Sequence, residues 1–215
     1  MNNQLKQNHM KKVIPLFLTV ATFVSFAFVI PNTIESKQIN VVIDAGHGGS
    51  DFGVTSSSAN EKQIVAQITE KIKFFNKNEK VTIHLTRTGD QFLSLSDRSA
   101  LINKIKPDLV LSLHVNQNLN VAKSGMEFYV AKESITKERS NEIAVELRNK
   151  FISNTAIKSS EIKYAPFHIL KKSEVPAVLV ELGYMSNLDD REYLTNDVQQ
   201  NKIAATILEF ISELK

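Results

Sequence analysis

His47, Glu61, His114 and Glu181 are the side chains of this 215-residue sequence whose types could together do metal-assisted chemistry. Two histidines and one glutamate form a known catalytic zinc set, with the fourth position left to water. A second glutamate beside that water supplies the proton acceptor that hydrolysis needs. Spacing by itself does not establish a metal, because the three residues are dispersed along the chain rather than packed in an H-E-x-x-H helix. Each residue also has a plainer role open to it when taken singly. A histidine at a strand end is more often a hydrogen-bonded structural residue than a ligand. The stretch SANE, residues 58–61, fits a capping box in which Ser58 caps a helix and Glu61 reaches back to it. Glu181 could pair with a lysine at a sheet edge.

Placement joins them. His47 follows directly on the apolar stretch 39–44, His114 stands near the end of stretch 108–115, and Glu181 ends stretch 176–181. Each reads as a buried strand, and in a parallel sheet their carboxyl ends share one edge, where open α/β sheets bind ligands. Further strands are expected over residues 81–87 and 126–131. Helices are expected over residues 61–75, 96–105, 141–151 and 198–214. The first of these places Ile64, Val65, Ile68, Ile72 and Phe75 on one face, and the second stops before Pro107. Such alternation means an α/β layer structure with a largely parallel sheet. Of the 7 glycines in the chain, Gly46, Gly48, Gly49 and Gly53 crowd around His47. Glycine permits positive φ and close backbone approach, so a tight turn is expected to project His47.

The chain has no cysteine, which excludes disulfides, iron–sulfur clusters and Cys-ligated zinc. Lys6, Lys11 and Lys12 precede an uncharged apolar run over residues 13–30. That is the layout of a secretory signal, with small residues at 25–27 for a signal peptidase. The run is also about long enough to span a bilayer uncleaved, since that needs roughly 20 residues. Cleaved signal and retained anchor both stay open. The expected organisation is an export segment plus linker over residues 1–37 and one catalytic domain over residues 38–215. The formal charge of +3 is carried by those three lysines, leaving 3 − 3 = 0 for the remainder, so charge gives no argument for nucleic acid or an anionic membrane.

Five ordered stretches carry a family resemblance. VVIDAGHGGSDFGV (41–54), NEKQIVAQI (60–68), LSLSDRSALINKIKPDLVLSLHVN (93–116), SGMEFYV (124–130) and VPAVLVELGYMSNLDDREYL (175–194) resemble the signatures of zinc-dependent N-acetylmuramoyl-L-alanine amidases of the type-3 class. Ala45 stands where many members have proline. The resemblance covers residues 39–214. It implies a twisted, mostly parallel six-stranded sheet flanked by helices, with His47, Glu61 and His114 as zinc ligands and Glu181 as the catalytic glutamate. It implies hydrolysis of the bond between the lactyl group of N-acetylmuramic acid and L-alanine in peptidoglycan. An exported, monomeric enzyme of the periplasm or cell envelope is expected, touching a membrane only through an uncleaved N-terminal segment.

Other readings are weaker. A catalytically idle wall-binding or regulatory module on the same fold would have lost one of the four matching residues, and none is lost. A zinc carboxypeptidase would use an H-x-x-E pair, which HGGS at 47–50 lacks. His84 is expected to be structural, and His168 is a lesser candidate for contact with substrate. Arg87, Asp90, Arg98 and Asn103 are expected to bond loops to the sheet. His9 precedes the apolar run and is irrelevant to catalysis.

Overall fold

The computed structural model describes residues 38–214. The apolar run and the export role expected of it lie outside the described residues. Among the described residues no helix is long and apolar enough to cross a membrane.

The chain folds as a single α/β domain. Its six-stranded sheet comprises β1 (Ile39–Ala45), β2 (Val81–Leu85), β3 (Leu109–Asn116), β4 (Met126–Val130), β5 (Ser159–Tyr164) and β6 (Ala177–Tyr184), in the order β2-β1-β3-β6-β4-β5. The first four strands in that order pair in parallel. β4 runs antiparallel to β6, and β5 runs parallel to β4. The carboxyl ends of β1, β3 and β6 therefore share an edge with the beginning of β4. The connection from β3 to β4, residues 117–125, has to pass over the end of β6. It is tied there by Asn118 N–H donating to Ser186 Oγ at 3.0 Å and Asn187 Nδ2 donating to the Val121 carbonyl at 2.9 Å.

The helices are α1 (Glu61–Phe75), α2 (Leu95–Ile105), α3 (Lys137–Asn154), α4 (His168–Lys172), α5 (Leu188–Thr195) and α6 (Asp197–Glu213). Strand side chains alternate between the two faces, and the faces differ. On one, Val41, Ile43, Leu111, Phe128 and Val180 pack against Ile68 and Ile72 of α1, Leu147 and Phe151 of α3, and Ile203 and Ile207 of α6. On the other, a smaller cluster joins Val42, Val110, Ala177 and Leu179 to Ala131, to Ile102 of α2 and to Ile169 and Leu170 of α4, with Ile105, Tyr129 and Val175 packed against it. Further along this second face the strands turn polar, through Asp44 on β1, Ser112 and His114 on β3, and Glu181 on β6. Apolar cover ends where these polar side chains begin.

The expected elements form, with corrections. Phe75 does not join the apolar stripe of α1 and is exposed at its end. α3 extends beyond the expected 141–151 at both ends, because its flanking turns are polar but contain no proline or glycine. β5, α4 and α5 were not expected. β5 is an edge strand with no buried residue, and α5 buries only Asp190 and Leu194, so neither carries an apolar pattern.

Candidate active site

His47 sits in the turn that leaves β1, and its own φ is +59°. That left-handed conformation costs a non-glycine residue about 1–3 kcal/mol, and the surroundings enforce it. Arg98 donates to the His47 carbonyl. Gly48 and Asp51 exchange backbone hydrogen bonds at 2.9 and 3.1 Å. The His47 Nδ1 lies 2.8 Å from Asp51 Oδ2. Two glycines explain the local richness. A Cβ on Gly53, where φ is +63°, would fall 2.4 Å from Glu61 Oε2, and one on Gly46 would fall 2.4 Å from the His114 ring. Side chains there would occupy the space the cluster needs.

Glu61 is the first residue of α1, and Asn60 is its N-cap, accepting from the Gln63 N–H. The capping box that residues 58–61 would also fit is therefore not formed. Asn60 takes the capping role, and the Glu61 carboxylate turns into the sheet edge. Its Oε1 lies 2.9 Å from His114 Nδ1, 3.1 Å from His47 Nε2 and 2.9 Å from the Val115 N–H, while Oε2 accepts from Val54 N–H at 2.9 Å. One donor atom from each of His47, Glu61 and His114 lies within 4.8 Å of the others, a set that could hold a metal ion. Burial works against the charge on each group, but mutual attraction prevails. It lifts His47 to about 9 and raises His114, while Glu61 is held far below the usual carboxylate range by both histidines. A carboxylate and two imidazoles so close in a buried place match the donor chemistry of a divalent cation such as zinc.

Glu181 completes the group. Its Cα is paired with that of His114 on one side and Glu127 on the other, so the three side chains share the second face. Its Oε2 is buried with no hydrogen-bond partner among the described residues. Burial lifts its pKa to about 7, reinforced by the negative charges of Glu61 and Glu127 against the pull of the histidines.

Comparison with known proteins identifies the chain. Residues 41–213 match the family described as N-acetylmuramoyl-L-alanine amidase. The chain belongs to that family. The amidase is 33% identical over 175 residues to the uncharacterized protein YqiI of Bacillus subtilis, covering 81% of this chain and 83% of that one. It is 32% identical over 159 residues to the sporulation-specific N-acetylmuramoyl-L-alanine amidase of the same organism, covering 73% of this chain but only 60% of that protein's length. Among solved structures, the catalytic domain of CwlV, an N-acetylmuramoyl-L-alanine amidase from Bacillus (Paenibacillus) polymyxa var. colistinus, superposes with a TM-score of 0.75 at 31% identity. That match covers 81% of this chain and 97% of the CwlV domain.

The remaining expected residues of the amidase lie outside the cluster. Arg87 donates to the carbonyls of Ala45, Gly46, Lys62 and Gly89, and so ties the His47 turn to α1. Asp90 accepts from Gly49 N–H and Lys62 Nζ, each at 2.8 Å. Asn103 bridges α2 to the segment after α4. The contacts of Arg87 and Asp90 match the scaffold role expected of them, whereas Asn103 ties α2 to the end of α4 and not a loop to the sheet. His84 lies on edge strand β2 opposite Val42, away from the group of His47, Glu61 and His114. His168 opens α4 in the connection from the end of β5 to the start of β6. Because those strands run in opposite directions, that connection starts and finishes at the edge opposite Glu181.

Three residues of the site were missed in the sequence. Asp51 orients His47 from within the glycine-rich turn, and its signal was the i,i+4 spacing. Asp44 is 1% exposed and accepts from Arg98 Nη1 at 2.8 Å, Thr86 Oγ1 at 2.7 Å and Ser112 Oγ at 2.7 Å, which fixes β1 against β3 below the cluster. A carboxylate closing an otherwise apolar strand was its signal. Glu127, inside an apparently apolar strand, was the third.

Proposed function

We propose that this amidase hydrolyses the amide bond between the lactyl group of N-acetylmuramic acid and L-alanine in peptidoglycan, with zinc held by His47, Glu61 and His114 and with Glu181 moving the proton. The observation that carries this reading is the Glu181 Oε2, buried and unpartnered beside three convergent donors. A zinc ion there supplies Lewis acidity that lowers the pKa of water toward neutrality and stabilises negative charge on a carbonyl oxygen. Glu181 accepts a proton from the water that adds to the lactyl carbonyl carbon. As the C–N bond breaks, the same carboxyl returns that proton to the departing amine of L-alanine. A pKa of about 7 suits both halves, since the group is neither a permanent acid nor a permanent base near neutrality. Asp51 fixes the ring of His47, and Glu61 is itself fixed by the Val54 and Val115 amides, so the donor set is organised before substrate arrives.

The chain is proposed to act outside the cytoplasm, with residues 1–37 serving export and residues 38–215 catalysis. An idle module on the same fold is disfavoured because the titrating group and all three donors are present and converge. The test is mass spectrometry of sacculi digested by the purified protein, with metal content measured for the wild type and for His47→Ala, Glu61→Ala and His114→Ala. The expected products are glycan strands free of peptide and stems beginning with L-alanine, with zinc lost from each variant. Full zinc occupancy in all three variants would overturn the ligand assignment, and cleavage at another bond would overturn the reaction.

A further inference from the structure

A second charged cluster adjoins Glu181, and its two lysines take no part in the chemistry above. Glu127, on β4, is 4% exposed and directly opposite Glu181 in the antiparallel pairing. Burying a carboxylate is costly unless it is paired and hydrogen-bonded, and here several donors converge. Its Oε1 accepts from Lys163 Nζ, with Lys123 Nζ at 3.6 Å, while Oε2 accepts from the Tyr129 hydroxyl at 2.6 Å and Asn116 Nδ2 at 3.1 Å. The lysines come from separate places, Lys123 from the β3–β4 connection and Lys163 from β5. One buried anion draws both ammonium groups to the same spot. Their side chains nevertheless remain 43% and 38% exposed. Each ammonium carries three donors and spends only part of them on Glu127. The Lys123 ammonium also lies 5.1 Å from the centre of the Tyr184 ring, and that of Lys163 lies 5.8 Å from the Tyr129 ring. Two ammonium groups against the one carboxylate of Glu127 leave spare donors facing solvent, one or two strands from the proposed proton carrier.

We propose that Lys123 and Lys163, gathered by the buried Glu127 carboxylate, form a subsite for the first free carboxylate of the stem peptide on the amine side of the scissile bond. This rests on the amidase reading and adds to it a preference among stems. The scale fits. Neighbouring strands lie roughly 5 Å apart, and both ammonium groups gather at Glu127, directly opposite Glu181, so they stand on the order of 5–10 Å from Glu181, the span of two or three extended residues. The second residue of a stem is a glutamate linked through its γ-carboxyl, so its α-carboxyl is either a free anion or an amide. An anion satisfies the spare ammonium donors by charge-assisted hydrogen bonds, and a neutral amide does so far less well. The subsite therefore discriminates between the two kinds of wall.

The experiment compares two muramyl peptides that differ only in that α-carboxyl, free in one and amidated in the other. A third peptide carries an amidated C-terminus instead. The protein is the zinc-loaded wild type, together with Lys123→Gln, Lys163→Gln and the double variant, and Lys163→Arg as the conservative control. We expect the wild type to favour the free acid by about tenfold in kcat/KM, carried by KM. The double variant brings that ratio close to one, and Lys163→Arg retains most of it. The ratio within one preparation does not depend on how much of the protein is folded, so a purely structural role for the lysines leaves it unchanged. Equal kcat/KM on both substrates in the wild type, or an undiminished ratio in the double variant, overturns the subsite. A preference that follows the C-terminal carboxylate overturns its placement. Failure to cleave any of the peptides overturns the amidase reading instead.

Discussion

Replacing Glu181 by glutamine is expected to make the metal-free protein more stable at alkaline pH while making the enzyme much slower. The carboxyl titrates at about 7 in the fold against 4.5 for an unperturbed glutamate. A pKa raised on folding means that the neutral form is the one the fold favours. That contribution is fully present below about pH 4.5 and is lost as pH rises through about 7. The gap of about 2.5 units corresponds to about 3 kcal/mol, at about 1.4 kcal/mol per unit. Glutamine keeps the size and never ionises, so it escapes this loss. Its amide must still bury donors, which takes back roughly 1–3 kcal/mol. A net gain of about 1 kcal/mol at pH 8 is therefore expected, a rise of roughly 2–4 °C in Tm for a chain of this size. At pH 4, where the wild-type carboxyl is protonated, the advantage should vanish or reverse. Calorimetry in a chelator at both pH values measures this, since a bound dication would offset the anionic charge. On the zinc-loaded protein the same substitution should lower kcat by about 10²–10⁴, the usual range for a general acid–base group. A variant that melts lower at pH 8 and retains near wild-type turnover would refute the reasoning, and would return Glu181 to the role of a structural ion-pair partner.

Two further substitutions probe the support beneath the metal site. Asp51→Asn should weaken zinc binding by roughly 10–100-fold, because Asp51 holds the imidazole of His47 in the orientation proposed for ligation. Competition with a chromophoric chelator reads this directly, and an unchanged affinity would remove Asp51 from that role. Arg98→Met leaves the Asp44 carboxylate buried without its ion pair and should cost roughly 3–5 kcal/mol. Thermal melts should show a fall on the order of 10 °C, partly recovered when Asp44→Asn is added, and an unaltered melt would show that Thr86 and Ser112 suffice to hold Asp44.

The parts of this fold legible in the sequence are those in which burial imposes a period. α1 is legible over its full length because Ile64, Val65, Ile68 and Ile72 recur at helical spacing, and each is at most 2% exposed. β1, β3 and β6 are buried on both faces and so read as near-continuous apolar runs. β5 has no buried residue, and its place in the sheet is set by pairing with β4, which leaves no mark on its own composition. Among site residues, the strand-end histidines and Glu181 are legible because a polar group that closes an apolar run stands out against the residues before it. Glu61 also fits a capping box because the two candidate caps, Ser58 and Asn60, stand only two residues apart. Had Ser58 capped the helix, Glu61 would have pointed back along it, whereas with Asn60 capping it points into the sheet edge. Glu127 is illegible because Lys163 reaches it only through the pairing of β4 with β5, although Lys123 and Tyr129 stand close to it in the sequence.

The passage of residues 117–125 over the end of β6 bears on how such an enzyme adapts. The bonds from Asn118 to Ser186 and from Asn187 to Val121 pin this connection to the turn after β6, and Leu119 projects fully into solvent between them. No residue of the main apolar core belongs to it. Lengthening an exposed connection costs little, since closure entropy grows only with the logarithm of loop length. Extra residues inserted near Leu119 would extend over the carboxyl edge of the sheet, where His114 and Glu181 stand, without disturbing a single core contact. Access to the catalytic edge can thus be narrowed, widened or handed to another protein by altering one loop, while the machinery beneath it keeps its shape.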